Sequence, residues 1–202
     1  MTLLIAHPER HIIHLQLRQN DLLKTLSRDE QLELEQGLEI VDVAKGGYLL
    51  HQGVHEMAQY FVIDGILERV VSNADARSMI LRFASERGVE TSYAAWRLNT
   101  PTPYAIVSVT KARVAKLPMP QWVAFMDRHP HFKAEFEHEV MRLMSEIMAH
   151  TITLHLLDAT GRVQRFMRKH ADLAERIPKK QLAAYLNLSA ETLSRLKRRG
   201  KI

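Results

Sequence analysis

Two periodicities divide the chain. Over residues 1–36 leucines at positions 15, 17, 22, 23, 26, 32 and 34 alternate with charges, a helix-prone pattern. Ser27 opens a Ser-Arg-Asp-Glu run, a capping-box pattern that places Glu30 where its carboxylate can reach back to the Ser27 N–H. From about Leu38 to Leu117 the period shifts toward 2. EIVDV, YLLHQG, QYFVIDGILERVV, SMILRFA, YAIVSVT and RVAKLP are short runs rich in Val, Ile, Tyr and Phe, separated by turn residues. Asp64-Gly65 predicts a β-hairpin between QYFVI and ILERVV. Several short strands at regular spacing predict a small sandwich or barrel.

Helical spacing returns after Pro118. PMPQWVAFMDRHP predicts a short helix ending at Pro130, and a long helix follows from His131. In it Phe136, Val140, Leu143, Ile147, His150, Leu154 and Leu157 lie alternately four and three residues apart, a heptad seam. A single amphipathic helix more commonly packs on its own domain, but a strict 3.5 period favours a partner helix and hence a homodimer. Met141, Met144 and Met148 flank the seam and are expected to pack against the β-region. His150 is the one polar residue in the seam; it could set register, sense pH, touch a ligand between subunits, or be merely tolerated. Asp158-Ala159-Thr160-Gly161 breaks the long helix and is the candidate hinge, and a further helix begins over 162–170.

Residues 177–202 read as two short helices joined by a tight turn. Leu182, Ala183, Leu186, Leu188, Leu193 and Leu196 fall where a helix-turn-helix must bury side chains, with Ala183 small at the closest approach. Asn187 stands at the corner, where a left-handed backbone favours it, and Ser189 is the candidate N-cap of the second helix. That helix then turns Ala190, Glu191, Ser194, Arg195 and Arg198 outward; residues near such an N-terminus meet base edges in a major groove. The same pattern also occurs in plain helical bundles. Charge separates the two readings. Residues 159–202 hold 12 Lys/Arg against 3 Asp/Glu, while the rest of the chain holds 16 against 20. A basic tail on an acidic body is the distribution of a phosphate-binding domain attached to a sensor.

Composition narrows the classes further. The 202 residues, 46% apolar and 25% charged, have room for one large or two small globular domains. The expected division is 1–130 for an effector-type β-domain with N-terminal helices, 131–158 for the long dimerisation helix, and 159–202 for the helix-turn-helix domain. No run of some eighteen apolar residues occurs, and MTLLIAHPERHIIH is too interrupted for a secretory signal, so a cytoplasmic protein without a membrane partner is expected. Cysteine is absent, which excludes disulfides, thiolate nucleophiles and cysteine-ligated iron–sulfur clusters. His7, His11 and His14 would share one face of a helix, more commonly a surface feature than a ligand set, and no metal is assigned to them. There is no Gly-rich phosphate loop and no spaced carboxylate or His-Glu motif above chance, so no enzyme is expected.

AYLNLSAETLSRLK resembles the recognition segment of the Crp/Fnr family of bacterial transcription regulators, and the E-x-x-S-R run of Glu191, Ser194 and Arg195 resembles the base-reading trio of its Fnr branch. The resemblance implies that Arg195 donates to guanine O6 and N7, that Glu191 accepts from a cytosine amino group, and that Ser194 touches a neighbouring base edge. It implies phosphate contacts for Lys179, Lys180, Ser189 and Thr192, with Arg198 beside them, and TTGA-like half-sites on an inverted repeat. Ala190 stands where the Crp branch carries an arginine, so Crp-type readout is not implied.

In front of this segment the β-region resembles the family's cyclic-nucleotide-binding jelly roll, with Gly47, Gly53 and Gly65 at its turns. The implied fold is α+β: an N-terminal jelly roll, a long dimerisation helix and a small helix-turn-helix domain. The implied effector pocket holds Glu90, Thr102 and Tyr104. Nucleotide-binding members carry Gly-Glu and, some ten residues on, Arg-Ser or Arg-Thr; here Val89 precedes Glu90 and the later pair falls on Thr102 and Pro103. Proline donates no N–H and a phosphate left unneutralised in a closed pocket is costly. An effector other than cyclic AMP or GMP, or none, is therefore expected, and the cofactor is left unassigned. The implied partners are double-stranded DNA, a second copy of the chain, RNA polymerase and a small-molecule effector. Two alternatives stay open: a dimeric ligand-sensing module without DNA binding, and a haem- or metal-dependent sensor using the 11 histidines. The sequence ends at Gly200-Lys201-Ile202, where longer family members continue into a β-hairpin wing, so weaker and more salt-sensitive DNA binding is expected.

Overall fold

The computed structural model describes residues 2–75 and 77–198. A short strand β1 (Thr2–Leu3) precedes helices α1 (Arg10–Leu17) and α2 (Arg28–Gly37). Local chemistry starts α2: the Ser27 hydroxyl accepts from the Glu30 N–H, and the Glu30 carboxylate accepts from the Ser27 N–H. His7 lies ahead of α1, outside the helix, and His14 is spent on Glu35 at 2.8 Å. Among the described residues no group of three or more His, Asp or Glu side chains is placed to hold a metal ion.

Strands β2 (Glu39–Val43), β3 (Tyr48–Leu50), β4 (Ala58–Asp64), β5 (Leu67–Ser72), β6 (Ser78–Ala84) and β7 (Val89–Thr91) follow. Then come the short helix α3 (Tyr93–Arg97) and strands β8 (Ala105–Ser108) and β9 (Ala112–Pro118). They form two antiparallel sheets, β1-β2-β9-β4-β7 and β3-β8-β5-β6. Tyr60, Val62, Leu67, Ile106 and Val114 interdigitate between them, as the period of two requires for a sandwich with one dry interior.

The expected hairpin at Asp64-Gly65 is not one. β4 pairs with β7 and β9, whereas β5 pairs with β6 and β8, so the chain changes sheets at this turn. Gly65 is required for two reasons: its φ is 90°, and a Cβ there would sit 2.4 Å from the Lys111 carbonyl oxygen and 2.7 Å from Ala112 Cβ. The dipeptide announces a sharp left-handed turn but carries no information on whether the flanking strands pair with each other.

Helices α4 (Met119–Arg128) and α5 (Pro130–Leu156) cover the outer face of the first sheet. Trp122 is the centre of that layer; Phe61, Phe132 and Phe136 meet it edge-on at 5.0–5.6 Å between ring centres. This packing corrects the reading of the long helix. Phe136 and Leu143 of the expected seam are buried in the chain's own core and Val140 packs against it, while Ile147, His150 and Leu154 are half-buried. Met141, Met144 and Met148, expected against the β-region, are instead 63%, 51% and 63% exposed, and Ile152 and Leu156 continue the outward stripe. The heptad period shows that a stripe is buried without saying against what. The two phenylalanines, anchored on Trp122, set the roll of the helix, and that roll turns the methionines to the surface.

Four more helices follow: α6 (Ala159–Lys169), α7 (Ala171–Ala174), α8 (Lys179–Tyr185) and α9 (Ala190–Arg198). Asp158 caps α6, its carboxylate accepting from the Gly161 N–H at 2.8 Å. No helix among the described residues is long and apolar enough to cross a membrane. Residues 199–202, including the Gly200-Lys201-Ile202 terminus, lie outside the described residues.

Candidate nucleic-acid interface

α8 and α9 form the helix-turn-helix. Leu182, Ala183, Leu186, Leu193 and Leu196 are buried between them and the helices beneath. The corner residue Asn187 has φ 52°, a left-handed conformation that asparagine tolerates. The Leu188 N–H returns to the Ala183 carbonyl at 2.9 Å. Arg162 of α6 fastens the corner from below. Its Nε donates to the Leu157 carbonyl at 2.9 Å, and its Nη1 donates to the Leu186 and Asn187 carbonyls at 3.2 and 3.4 Å. These carbonyls lie at or just beyond helix ends, where the backbone offers no intrahelical donor.

At the start of α9 the Ser189 hydroxyl accepts from the Thr192 N–H at 3.0 Å and lies 2.9 Å from Thr192 Oγ1, to which it donates. Burial of Leu193 and Leu196 fixes the roll of the helix, leaving Glu191, Arg195 and Arg198 exposed and Thr192 and Ser194 half-buried on the outer side. Neither Glu191 nor Arg195 makes an ion pair among the described residues. Lys179 and Lys180 stand exposed in the first turn of α8, which contains no acidic residue. Cations at a helix N-terminus oppose the macrodipole by about 0.3–1 kcal/mol each; a phosphate placed there would reverse the sign. All eight expected DNA-contact residues thus lie on α8, α9 or the cap between them.

Inside the β-sandwich, Glu90 is fully buried between two arginines. Arg69 Nη2 and Nε donate to one carboxylate oxygen at 2.6 and 3.0 Å, and Arg82 Nη1 donates to the other. Arg69 Nη2 also donates to the Thr91 carbonyl, and its guanidinium lies 4.2 Å from the centre of the Tyr104 ring. Burial works against charge on Arg69, but Glu90 and Tyr104 together more than offset it and the group stays above the ordinary arginine range. Tyr104 donates its hydroxyl to the Thr91 carbonyl at 2.7 Å, and Thr102 donates to the Tyr104 carbonyl at 2.9 Å. The three expected pocket residues therefore lie in one neighbourhood, with their polar groups spent within the protein. Arg69 and Arg82 went unread in the sequence. The signal was there for Arg69: in Leu67-Glu-Arg69 the strand alternation puts the arginine in phase with a core leucine, and a buried arginine needs a buried carboxylate. A cavity of about 580 Å³ opens elsewhere, lined by Val54, His55, Met57, Tyr60, Trp96 and Lys116 among others.

The helix-turn-helix domain is seated on the outer face of the second sheet. Ile66, Ile80 and Val109 of the sandwich share one apolar cluster with Val163, Phe166, Leu173 and Leu182. Tyr185 of α8 is the pivot: its ring lies 5.1 Å from Phe83 of β6, 5.6 Å from Phe166, and 3.8 Å from His150 of α5 in a parallel stack tilted by 2°. Arg176 grips Glu86 through both terminal nitrogens at 2.5 and 2.8 Å, and Glu86 also accepts from the Gly65 N–H. Burial pushes the His150 pKa down to about 4, keeping the ring neutral.

No protein-family profile and no curated protein matches the chain. Solved structures do. A CooA mutant from Carboxydothermus hydrogenoformans superposes with a TM-score of 0.72 at 16% identity, covering 92% of this chain and 87% of that one. The c-di-GMP responsive global regulator CLP of Xanthomonas campestris gives 0.71 at 14% identity, over 86% and 92%. FixK2 from Bradyrhizobium japonicum gives 0.68 at 16%, over 81% and 86%. At such identities the likeness is one of fold. The chain has the α+β fold of Crp/Fnr-type transcription regulators: a jelly roll of cyclic-nucleotide-binding type, a long helix and a helix-turn-helix.

Proposed function

We propose that the protein is a sequence-specific DNA-binding regulator acting as a homodimer in the cytoplasm. The observation that carries this reading is α9, a capped helix locked from behind, whose outer face presents Glu191, Ser194, Arg195 and Arg198, with no ion-pair partner for Glu191 or Arg195 among the described residues. Arg195 would read guanine and Glu191 cytosine, while Lys179, Lys180, Ser189 and Thr192 hold the backbone and set register.

The exposed stripe of Met141, Met144, Met148, Ile152 and Leu156 supports the dimer. A line of large apolar side chains along a 27-residue helix calls for a cover, and the same helix of a second copy supplies one under two-fold symmetry. Two recognition helices related in this way address half-sites about 34 Å apart on an inverted repeat. Regulation then follows from an equilibrium between the helix-turn-helix domain seated on β6 and the same domain released, and an effector acts only by binding the two arrangements unequally. Cyclic AMP or GMP does not suit this role, because the Glu90 carboxylate is taken by Arg69 and Arg82.

The test is fluorescence anisotropy with a duplex carrying two inverted TTGA half-sites one turn apart and with a scrambled duplex of equal length. The repeat should bind at least tenfold more tightly at 150 mM salt, with affinity falling as salt rises. Equal affinity for both duplexes would overturn the reading.

A further inference from the structure

The two domains meet over a cleft that the base-reading face does not use and that shares only Arg82 with the Glu90 cluster. Its floor is β6 at Phe83; one side is α5 at His150 and Thr153, the other Phe166 of α6 and Tyr185 of α8. Among the described residues, Arg82, Arg162, Arg165 and Lys169 line it against one acid, Glu146, which Arg142 already holds at 2.8 Å and Lys169 approaches at 3.6 Å. Arg162 is committed to backbone carbonyls and Arg82 Nη1 to Glu90. Arg165 has no carboxylate partner among the described residues. Crowding cations around a partly closed volume raises its potential and draws in an anion.

Two further atoms point the same way. Arg82 Nε and His150 Nε2 are buried without a hydrogen-bond partner among the described residues, although buried polar atoms are nearly always paired. Around them the walls are flat and apolar, with Phe83, Phe166 and the stacked His150–Tyr185 pair turned toward one another. We propose that this cleft binds a small aromatic carboxylate, its anion among Arg82, Arg165 and Lys169 and its ring against Phe83, Phe166 and Tyr185. The enclosed volume is about 50 Å³, well below the ~150 Å³ of a cavity that admits benzene. A ring therefore enters as the two domains part slightly, and the ligand acts as a wedge on the seating of the helix-turn-helix. The assignment rests on the docked arrangement of the two domains and stands apart from the reading of α9 as a DNA-binding helix.

Calorimetric titration of the full chain with benzoate at low salt and pH 7.5 tests it, with benzyl alcohol and inorganic phosphate as probes lacking the charge and the ring. Benzoate should bind saturably, one per chain, and at least tenfold more tightly than either control. Binding should weaken at least tenfold in Arg165→Gln and further in Arg165→Gln/Lys169→Gln. Both residues are exposed, and unchanged far-UV circular dichroism verifies that the variants fold. Arg168→Gln, an exposed residue on the same helix outside the cleft, should bind as the parent does. Absence of saturable benzoate binding, phosphate binding as tight as benzoate, or an equal loss in Arg168→Gln would each overturn the proposal.

Discussion

Glu90 shows how much one side chain can settle in this fold. Removing it leaves Arg69 buried, and Arg82 partly so, with their positive charge uncompensated, which typically costs about 3–5 kcal/mol for a buried pair. Glu90→Ala should lower the urea midpoint correspondingly; a loss under about 1 kcal/mol would mean the arginines find water or other acceptors. Gly65→Ala should cost about 3 kcal/mol, from a left-handed backbone and a methyl driven onto the Lys111 carbonyl. An unchanged urea midpoint would contradict the close approach at that turn. At this scale the sequence is legible wherever the partner is a few residues away. Ser27 with Glu30, Asn187 at its corner and Ser189 with Thr192 are all local devices. Arg69 is 21 residues from Glu90 and on another sheet, and only its strand phase hints at the pairing.

Among the elements, α5 separates what a pattern says from what it omits. The heptad spacing showed a long helix with one committed face, because side chains three and four apart must align. It could not show that Phe132 and Phe136 would be claimed by Trp122, since that depends on how α4 turns at His129–Pro130. The same limit applies at Asp64-Gly65, where a correct turn joined two different sheets. The stripe left outside leads to a prediction. If α5 is the dimer interface, the parent should be dimeric by light scattering and Met141→Glu/Met148→Glu monomeric at the same concentration, with unchanged far-UV circular dichroism. A dimer that persists in this variant would move the interface off α5.

Across the whole molecule, the helix-turn-helix sits against β6 through groups that titrate. His150 in the folded chain has its pKa near 4, chiefly because it is buried; its ordinary value is 6.5. As pH falls below about 6.5 the unfolded chain takes up the proton first, so stability is lost between about 6.5 and 4. His170, lowered by burial as well, acts in the same direction. Glu68, raised to about 7 by burial, acts oppositely, lowering stability as pH rises from about 4.5 through 7. His150→Phe keeps a ring against Tyr185 and removes one titration. Its Tm relative to the parent should therefore rise steadily as pH falls from 7 to 4, whereas a difference constant with pH would contradict the burial of His150. None of this seating was legible in the sequence, because it joins residues such as Glu86 and Arg176, 90 positions apart.

The claim that everything else serves is base readout by α9. It is tested most directly by selecting binding sites from random duplex DNA at low salt, with the parent chain and Arg195→Ala side by side. An enriched inverted repeat with TTGA-like half-sites is expected for the parent. Arg195→Ala should show relaxed selection at the guanine position, a loss of about 1–3 kcal/mol there, with salt-sensitive backbone binding retained. Binding without any enriched sequence, unchanged by Arg195→Ala, would reduce the basic tail to an unspecific phosphate-binding surface and contradict the account.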